Sequence, residues 1–160
     1  MKKLSLTFLE ESHEENNPIY NILVKYGNQI TNYAKDYFSS IVTTTSVEGV
    51  FKEFSLYIIV PDIGFEYRTL NVEIINIDEV QVNLYTLKTN QVEPFKVNIS
   101  KGYGKLDAKI ADLLNRPLIN YSFKFLVNQV KIKKEYRRSI SMKSKLSDDI
   151  SNKDLLSDDF

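Results

Sequence analysis

Two short strings contain the residue types that a metal-dependent nuclease uses. Pro61-Asp62 is followed further along the chain by Asp107-Ala108-Lys109. In such a site, carboxylates hold a divalent cation beside the scissile phosphate while a lysine orients the attacking water. The chemistry needs the second string on a strand next to the first, but the sequence indicates a turn around Asp62 and a helix start at Asp107. We therefore favour structural roles, and a divalent-metal-dependent nuclease is the least favoured alternative.

The other residues with catalytic potential are isolated. His13 is the single histidine and lies among glutamates, without the second imidazole or the HExxH spacing of a metal site. Gly102-Tyr103-Gly104 follows a predicted strand but lacks the remaining elements of a phosphate loop. The chain has no Cys, which excludes thiol chemistry and Cys-based metal sites. We predict no catalytic residue, no metal and no cofactor, and we favour a protein that is not an enzyme.

Composition predicts one globular domain. The chain has 160 residues, 42% of them hydrophobic, and its nine Phe and ten Tyr can supply a core without disulfide bonds. The apolar stretch at the N-terminus is too short and too mixed for a secretory signal, and no window approaches a membrane span. These features predict a cytoplasmic protein without a membrane partner.

The elements that would position any site are strands in the middle of the chain. Four runs of alternating apolar and polar residues predict a four-stranded antiparallel meander with one apolar and one polar face. Pro61 to Gly64 form the first turn, and Pro94 places the last strand at a sheet edge because proline cannot donate to a ladder. The runs lie at about 50–60, 65–76, 80–84 and 95–99.

Helices are predicted on both sides of this block, giving an α+β fold. Asn17-Pro18 begins an amphipathic helix whose apolar positions continue to Ile41, ended by the threonine-rich run 43–48. Gly27 is a weak point in it, by roughly 1 kcal/mol relative to Ala. A short helix follows at 106–115. Residues 117–134 fit strand or helix periodicity, and we favour a helix because Leu126 would otherwise face the wrong side.

The C-terminus changes composition. Residues 1–136 are expected to form the single domain, and residues 137–160 a flexible, disordered charged tail poor in large hydrophobic residues. Residues 131–145 carry seven basic side chains against one acid, and residues 146–160 carry five Asp against one Lys. The predicted basic patch consists of Lys131, Lys133, Lys134, Arg137 and Arg138.

The polar face of the middle strands is the predicted binding surface. It combines tyrosine, arginine and amide side chains, which are common in protein interfaces. We therefore predict a non-catalytic protein-interaction module of the immunity, antitoxin or adaptor type, with a nucleic-acid-associated protein using residues 131–145 as the alternative. Oligomeric state stays open. The predicted surface comprises Tyr67, Arg68, Asn71, Glu73, Gln81, Asn83 and Tyr85.

Overall fold

A computed structural model describes residues 14–87 and 91–157, with side chains described as far as residue 146. This part of the chain is α+β, with three α-helices and a five-stranded antiparallel sheet. The elements are α1 (Pro18–Tyr33), β1 (Ser39–Val47), β2 (Val50–Val60), β3 (Phe65–Asn76), β4 (Glu79–Leu84), β5 (Phe95–Asn98), α2 (Gly104–Leu114) and α3 (Pro117–Ser157).

The sheet is a meander in which each strand pairs with the next along the chain, in the order β1-β2-β3-β4-β5. The four predicted strands are all present, and β5, which follows Pro94, lies at an edge as expected. The turn between β2 and β3 is a 3₁₀ turn, Pro61–Ile63, that ends at Gly64 with φ of 59°. Glycine is suited to this position because the left-handed region costs it nothing.

The prediction of four strands is wrong by one, and the first helix is shorter than predicted. Asn17 caps α1 as expected, since its Oδ1 accepts from the Ile19 amide at 2.9 Å. The helix ends at Tyr33, however, and residues 39–47 pair along the whole of β2 as β1. The sequence indicates Thr43 to Thr45 as the end of a helix because their branched side chains restrict χ1. The same restriction favours a strand when a neighbouring strand is available for pairing.

All three helices pack on the same face of the sheet, as the apolar alternation predicts. Buried Phe54, Leu56, Val72 and Val82 form the sheet side of the core. The helices contribute a second layer of fully or almost fully buried aliphatic residues: Ile19 and Leu23 from α1, Leu106, Ile110 and Leu113 from α2, and Ile119, Leu126 and Val130 from α3. No described helix covers the opposite face, which we call the open face. Its central residues Ser55, Asn71 and Asn83 are buried among neighbouring side chains, and the residues around them on β2 to β4 are half-buried.

Residues 117–134 are helical, which confirms the interpretation favoured from the sequence. Leu126 is buried against Tyr67 and Phe38, so the helical register puts it in the core. The helix does not end there but continues to Ser157. The described backbone of the predicted tail is therefore helical, whereas the sequence indicated a disordered segment. Every side chain from Glu135 to Leu146 is exposed. Among the described residues, no helix is both long and apolar enough to cross a membrane.

Candidate functional site

Three cross-strand rows of side chains lie in the middle of the open face of the sheet. In the first row Ile41 pairs with Tyr57, Tyr57 pairs with Arg68, and Arg68 lies over the Tyr85 ring. The second row runs through Thr43, Ser55, Asn71 and Asn83. The third runs through Thr45, Glu53, Glu73, Gln81 and Lys96. The character of the face therefore changes from row to row: the first row is mainly aromatic and cationic, the second is neutral and polar, and the third is mainly charged.

The middle row is a closed hydrogen-bond network. Asn71 is 0% exposed and donates from Nδ2 to Ser55 Oγ at 3.0 Å and to a Glu53 carboxylate oxygen. Asn83 donates to Asn71 Oδ1 at 3.0 Å and to Glu73 Oε1 at 3.2 Å. No described buried side-chain nitrogen or oxygen lacks a partner. Satisfied networks of this kind hold their members in one arrangement, so Asn71 and Asn83 support the surface without being accessible themselves.

Within the first row, Arg68 contacts both the Tyr85 ring and a carboxylate. The Arg68 guanidinium carbon lies 4.2 Å from the centre of the Tyr85 ring, and its Nη1 lies 3.9 Å from Glu53 Oε1. Burial raises the pKa of the Tyr85 hydroxyl, and Arg68 opposes that rise. The tyrosine therefore stays neutral at physiological pH and presents its hydroxyl as donor or acceptor. A depression of about 90 Å³ beside the pair is bordered by Phe65 and Leu87.

Tyr67 is not part of this face, contrary to the sequence prediction. The β2–β3 register shifts between Leu56 and Tyr57, so that Leu56 pairs with Leu70 and Tyr57 with Arg68. The extra residue, Thr69, reverses the alternation: Arg68 turns outward and Tyr67 turns into the core, where it is 3% exposed. Its hydroxyl donates to the Tyr85 carbonyl oxygen, and burial raises its pKa to about 12. A bulge of this type leaves no signal in simple alternation.

Sequence reasoning also missed residues of the face. Ile41 was assigned to a helix, so its place beside Tyr57 could not be seen. Tyr57 lies on this face between Ile41 and Arg68, but the predicted surface does not include it. Gln91 donates to Asn83 Oδ1 from the loop before β5, where no periodicity pointed to it.

The basic patch lies on α3, with all five of its cations within about 160° of the circumference at 100° per residue. Lys134 is the one held in place: its Nζ is 3.6 Å from Asp62 Oδ2 and 5.3 Å from the centre of the Tyr37 ring. Lys131, Arg137 and Arg138 are exposed and Lys133 is half-buried. The five cations therefore form a charged side of the helix, and one of them, Lys131, also borders a cleft between the helices.

The residues of the nuclease-like strings have separate partners. Asp62 belongs to the turn and pairs with Lys134 of α3, whereas Asp107 lies in the first turn of α2 and pairs with Lys25 of α1 at 2.7 Å. Lys109 lies over the Phe95 ring at 4.0 Å. Hydrogen bonds from Lys25 and Tyr26 hold the pKa of Asp107 below its ordinary value. Within the described ranges no group of three or more potential metal-ligating His, Cys, Asp or Glu side chains occurs, and His13 lies outside them.

A cleft of about 690 Å³ lies on the other side of the molecule, between α1, the end of α2 and α3. Its floor includes Ile30, Phe38 and Phe123, and its rim carries Lys124 and Lys131 together with amide side chains. None of the described residues that line it is acidic. Its size is in the usual range for ligand sites, and its lining would suit an apolar group that ends in an anion.

Comparisons with protein-family models, with curated proteins and with solved structures each find no match. The functional argument therefore depends on the geometry of the chain itself.

Proposed function

We propose that this chain is a small, non-catalytic cytoplasmic protein-interaction module, of the immunity, antitoxin or adaptor type, that binds a protein partner through the open face of its sheet. The single observation that supports this most strongly is the row Tyr57–Arg68–Tyr85, in which the Arg68 guanidinium lies over the Tyr85 ring on a face that no described helix covers. Tyr and Arg are the residues that most often dominate binding energy at interfaces.

Rigidity of the face supports the same proposal. The Asn71–Asn83 network lies directly beside the first row and fixes Glu53, which in turn lies near Arg68. A side chain that is already held in its bound rotamer loses less entropy when the partner arrives. The network thus gives the accessible residues a fixed arrangement without contacting the partner.

The charge pattern indicates what the partner presents. Glu53 and Glu73 lie opposite each other on β2 and β3, and Arg68 forms an ion pair with Glu53. A complementary segment would place an apolar or aromatic side chain on Tyr57 and Tyr85 and a lysine or arginine near the two glutamates. Such charges at the rim increase the association rate more than the affinity.

The test is quantitative affinity capture from the native cell with the wild-type chain and with Arg68→Ala and Tyr57→Ala. We expect proteins retained by the wild type to be lost with both variants, since removing a central Tyr or Arg costs about 2 kcal/mol or more at an interface. Each captured protein is then purified and its affinity measured directly.

Lys105→Ala is the matched control, because Lys105 is exposed at the start of α2, on the helical side of the molecule. It should retain the same partners as the wild type. If no partner distinguishes Arg68→Ala from Lys105→Ala, the open face is not the binding surface.

The basic patch supports a second candidate, a nucleic-acid-associated protein, because its cations share one side of α3. Each neutralised phosphate releases counterions, so binding should weaken steeply between about 50 and 200 mM salt. Retention of the wild type on a DNA column at low salt, lost in an Arg137→Ala/Arg138→Ala variant, would favour this candidate. Equal elution of the two proteins would exclude a role for these arginines.

A further inference from the structure

The two edges of the sheet differ in what protects them. β5 has four residues, follows Pro94 and carries Lys96, and a short strand with proline and lysine is a poor template for a further strand. β1 has nine residues, Ser39–Val47, and pairs with β2 along its whole length. It contains neither proline nor a charged residue. The sheet therefore has one guarded edge and one edge that lacks the usual protection.

The outer side of β1 carries backbone groups that are free to pair. β2 is the one strand beside β1 in the described part of the chain. An edge strand points about half of its N–H and C=O groups away from its neighbour. Between described residues, no backbone hydrogen bond outside the β1–β2 ladder involves residues 39–47. An extended chain can pair with each group of such a row, so the occupant that this edge fits is another strand.

The residues of β1 favour this pairing. Five consecutive β-branched residues, 41–45, form its centre, and such side chains pack well on a pleated surface. The register with β2 shifts after Thr45, so the regular part of the strand is Ser39–Thr45, about 23 Å long. In this part Ile41 is 49% exposed and Val42 is half-buried. A strand added outside β1 would cover more of both.

The regular part of β1 is complementary to a second copy of itself. An antiparallel pair centred on Val42 places Ile41 opposite Thr43 and Val42 opposite its own copy. Ser39 then lies opposite Thr45. Opposite residues of an antiparallel pair point to the same face of a sheet, so both copies keep the same open face. All of these pairs are uncharged, and β-branched residues are favourable neighbours across strands.

The charge next to the edge does not oppose the pairing. Glu14 accepts a hydrogen bond from the Thr44 hydroxyl. In a pair centred on Val42, the two copies of Thr44 would be four residues apart along the strands, about 13 Å. The two Glu14 carboxylates are therefore not brought together by this register.

We propose that the occupant of the β1 edge is a second copy of this chain, and that the two β1 strands pair in antiparallel orientation around Val42. The product is a continuous ten-stranded sheet with one β5 at each end. Because both outer edges are then the guarded ones, the assembly closes at two copies and does not extend. Arg68 and Tyr85 lie away from this edge, so each copy keeps them available for a partner.

The first experiment measures mass by sedimentation equilibrium and light scattering on the full chain. The wild type should be a dimer at tens of micromolar. Ile41→Lys/Thr43→Lys places lysine opposite lysine at two positions and should weaken the dimer at least about 100-fold, because like charges directly opposite each other destabilise a strand pair. Ile41→Glu/Thr43→Glu should weaken it for the same reason.

Mixing these two variants separates lost pairing from lost folding. In a one-to-one mixture each lysine faces a glutamate, so a dimer that contains one copy of each should form. Ile75→Lys/Ile77→Lys is the matched control, because both isoleucines are exposed near the β3–β4 turn, away from β1. Its dissociation constant should differ from that of the wild type by less than about threefold, since distant exposed charges are screened. Failure of the mixture to dimerise would overturn the proposed pairing.

The second experiment tests the register, and the absence of native cysteine makes it specific. Val42→Cys should form a disulfide-linked dimer on oxidation, because opposite Cα atoms of an antiparallel pair are about 4.5–5.5 Å apart, within the range of a disulfide. Thr44→Cys is the matched control on the same side of the strand, and its copies, about 13 Å apart, should not link. Equal linking of both variants would overturn the register.

A wild type that stays monomeric at these concentrations would overturn the proposal altogether. Amide hydrogen exchange on that monomer would then distinguish an open edge, which exchanges fast, from an edge covered by residues 1–13 of the same chain, which exchanges slowly. The role of the open face is tested by its own variants, so either proposal can fail without the other.

Discussion

Asn71 and Arg68 lie three residues apart on β3 and have different tasks. Asn71 is fully buried within the amide network, whereas Arg68 is half-buried and stacked on Tyr85. The sequence indicated both as polar residues of an outward face. It did not show that Asn71 is a buried residue that supports the face and that Arg68 is an accessible residue that could contact a partner. Whether a residue of this face is buried depends on which long side chains of the neighbouring strands cover it and on the bulge at Thr69. Neither can be deduced from the alternation along one strand.

Replacing Asn71 should affect stability. Asn71→Ala removes the donor to Ser55 and Glu53 and the acceptor for Asn83, and leaving buried polar groups unpaired costs about 1–3 kcal/mol. Urea denaturation provides the measurement. Thr43→Ala is the control, because Thr43 is an exposed member of the same row, and its loss should stay within about 0.5 kcal/mol. If both variants lose the same free energy of unfolding, the hydrogen-bond network does not contribute to stability beyond an exposed threonine.

The Lys25–Asp107 pair should make a small, pH-dependent contribution. Because the pKa of Asp107 is lowered in the folded chain, its ionised form is favoured by folding, and this stabilisation is present at neutral pH. It is lost as the pH falls below about 4 and passes through the lowered pKa. Both side chains are substantially exposed, so Asp107→Asn should cost only about 0.5 kcal/mol at pH 7.

The measurement for this pair is the melting temperature of the wild type and Asp107→Asn at pH 7 and in acid. The difference should shrink at acid pH, and Lys25→Gln should behave similarly. A difference that does not change with pH would show that Asp107 acts through something other than its charge.

At the scale of elements, the sequence predicted strands well where one face is buried and alternation is strict. It failed at β1 because residues 39–47 are exposed at most positions, with none buried, and follow directly from a helical pattern. Whether such a segment continues a helix or joins a sheet depends on β2, which offers it a complete ladder of backbone partners. Local propensity alone does not contain that information.

Gly27 illustrates the same limit. From helix propensity alone, replacing Gly27 by alanine should stabilise the helix. In the folded chain a Cβ at this position would lie 2.7 Å from Ser40 Oγ and 3.0 Å from Leu56 Cδ1. Glycine is therefore what lets α1 approach β1 and β2 so closely.

We expect Gly27→Ala to lower the free energy of unfolding by about 1–3 kcal/mol, as overpacking does elsewhere. Ser40→Ala in the same chain should recover part of that loss. Gly104→Ala is the control at the start of α2, where no atom lies within 4 Å of the added methyl group, and it should be neutral or slightly stabilising. Chemical denaturation compares the variants, and a Gly27→Ala variant as stable as the wild type would contradict the close approach.

At the scale of the whole molecule, the sequence predicted the α+β class, the single covered face and the edge position of β5. It did not predict that α3 continues beyond residue 134, because the composition of the following residues is typical of a polar tail. It also gave no sign of the cleft between the helices, whose lining comes from three separate segments. The division into a covered and an open sheet face is the property from which the proposed function follows.

Site-specific photo-cross-linking in the native cell tests the central claim most directly. A photoreactive phenylalanine analogue replaces Tyr57 on the open face or, as control, Tyr33 of α1, which is 87% exposed on the helical side. The account predicts a discrete adduct to another protein from position 57 that disappears when Arg68→Ala is added, and no such adduct from position 33. An adduct from position 33 alone, or one from position 57 that is unchanged by Arg68→Ala, would contradict it.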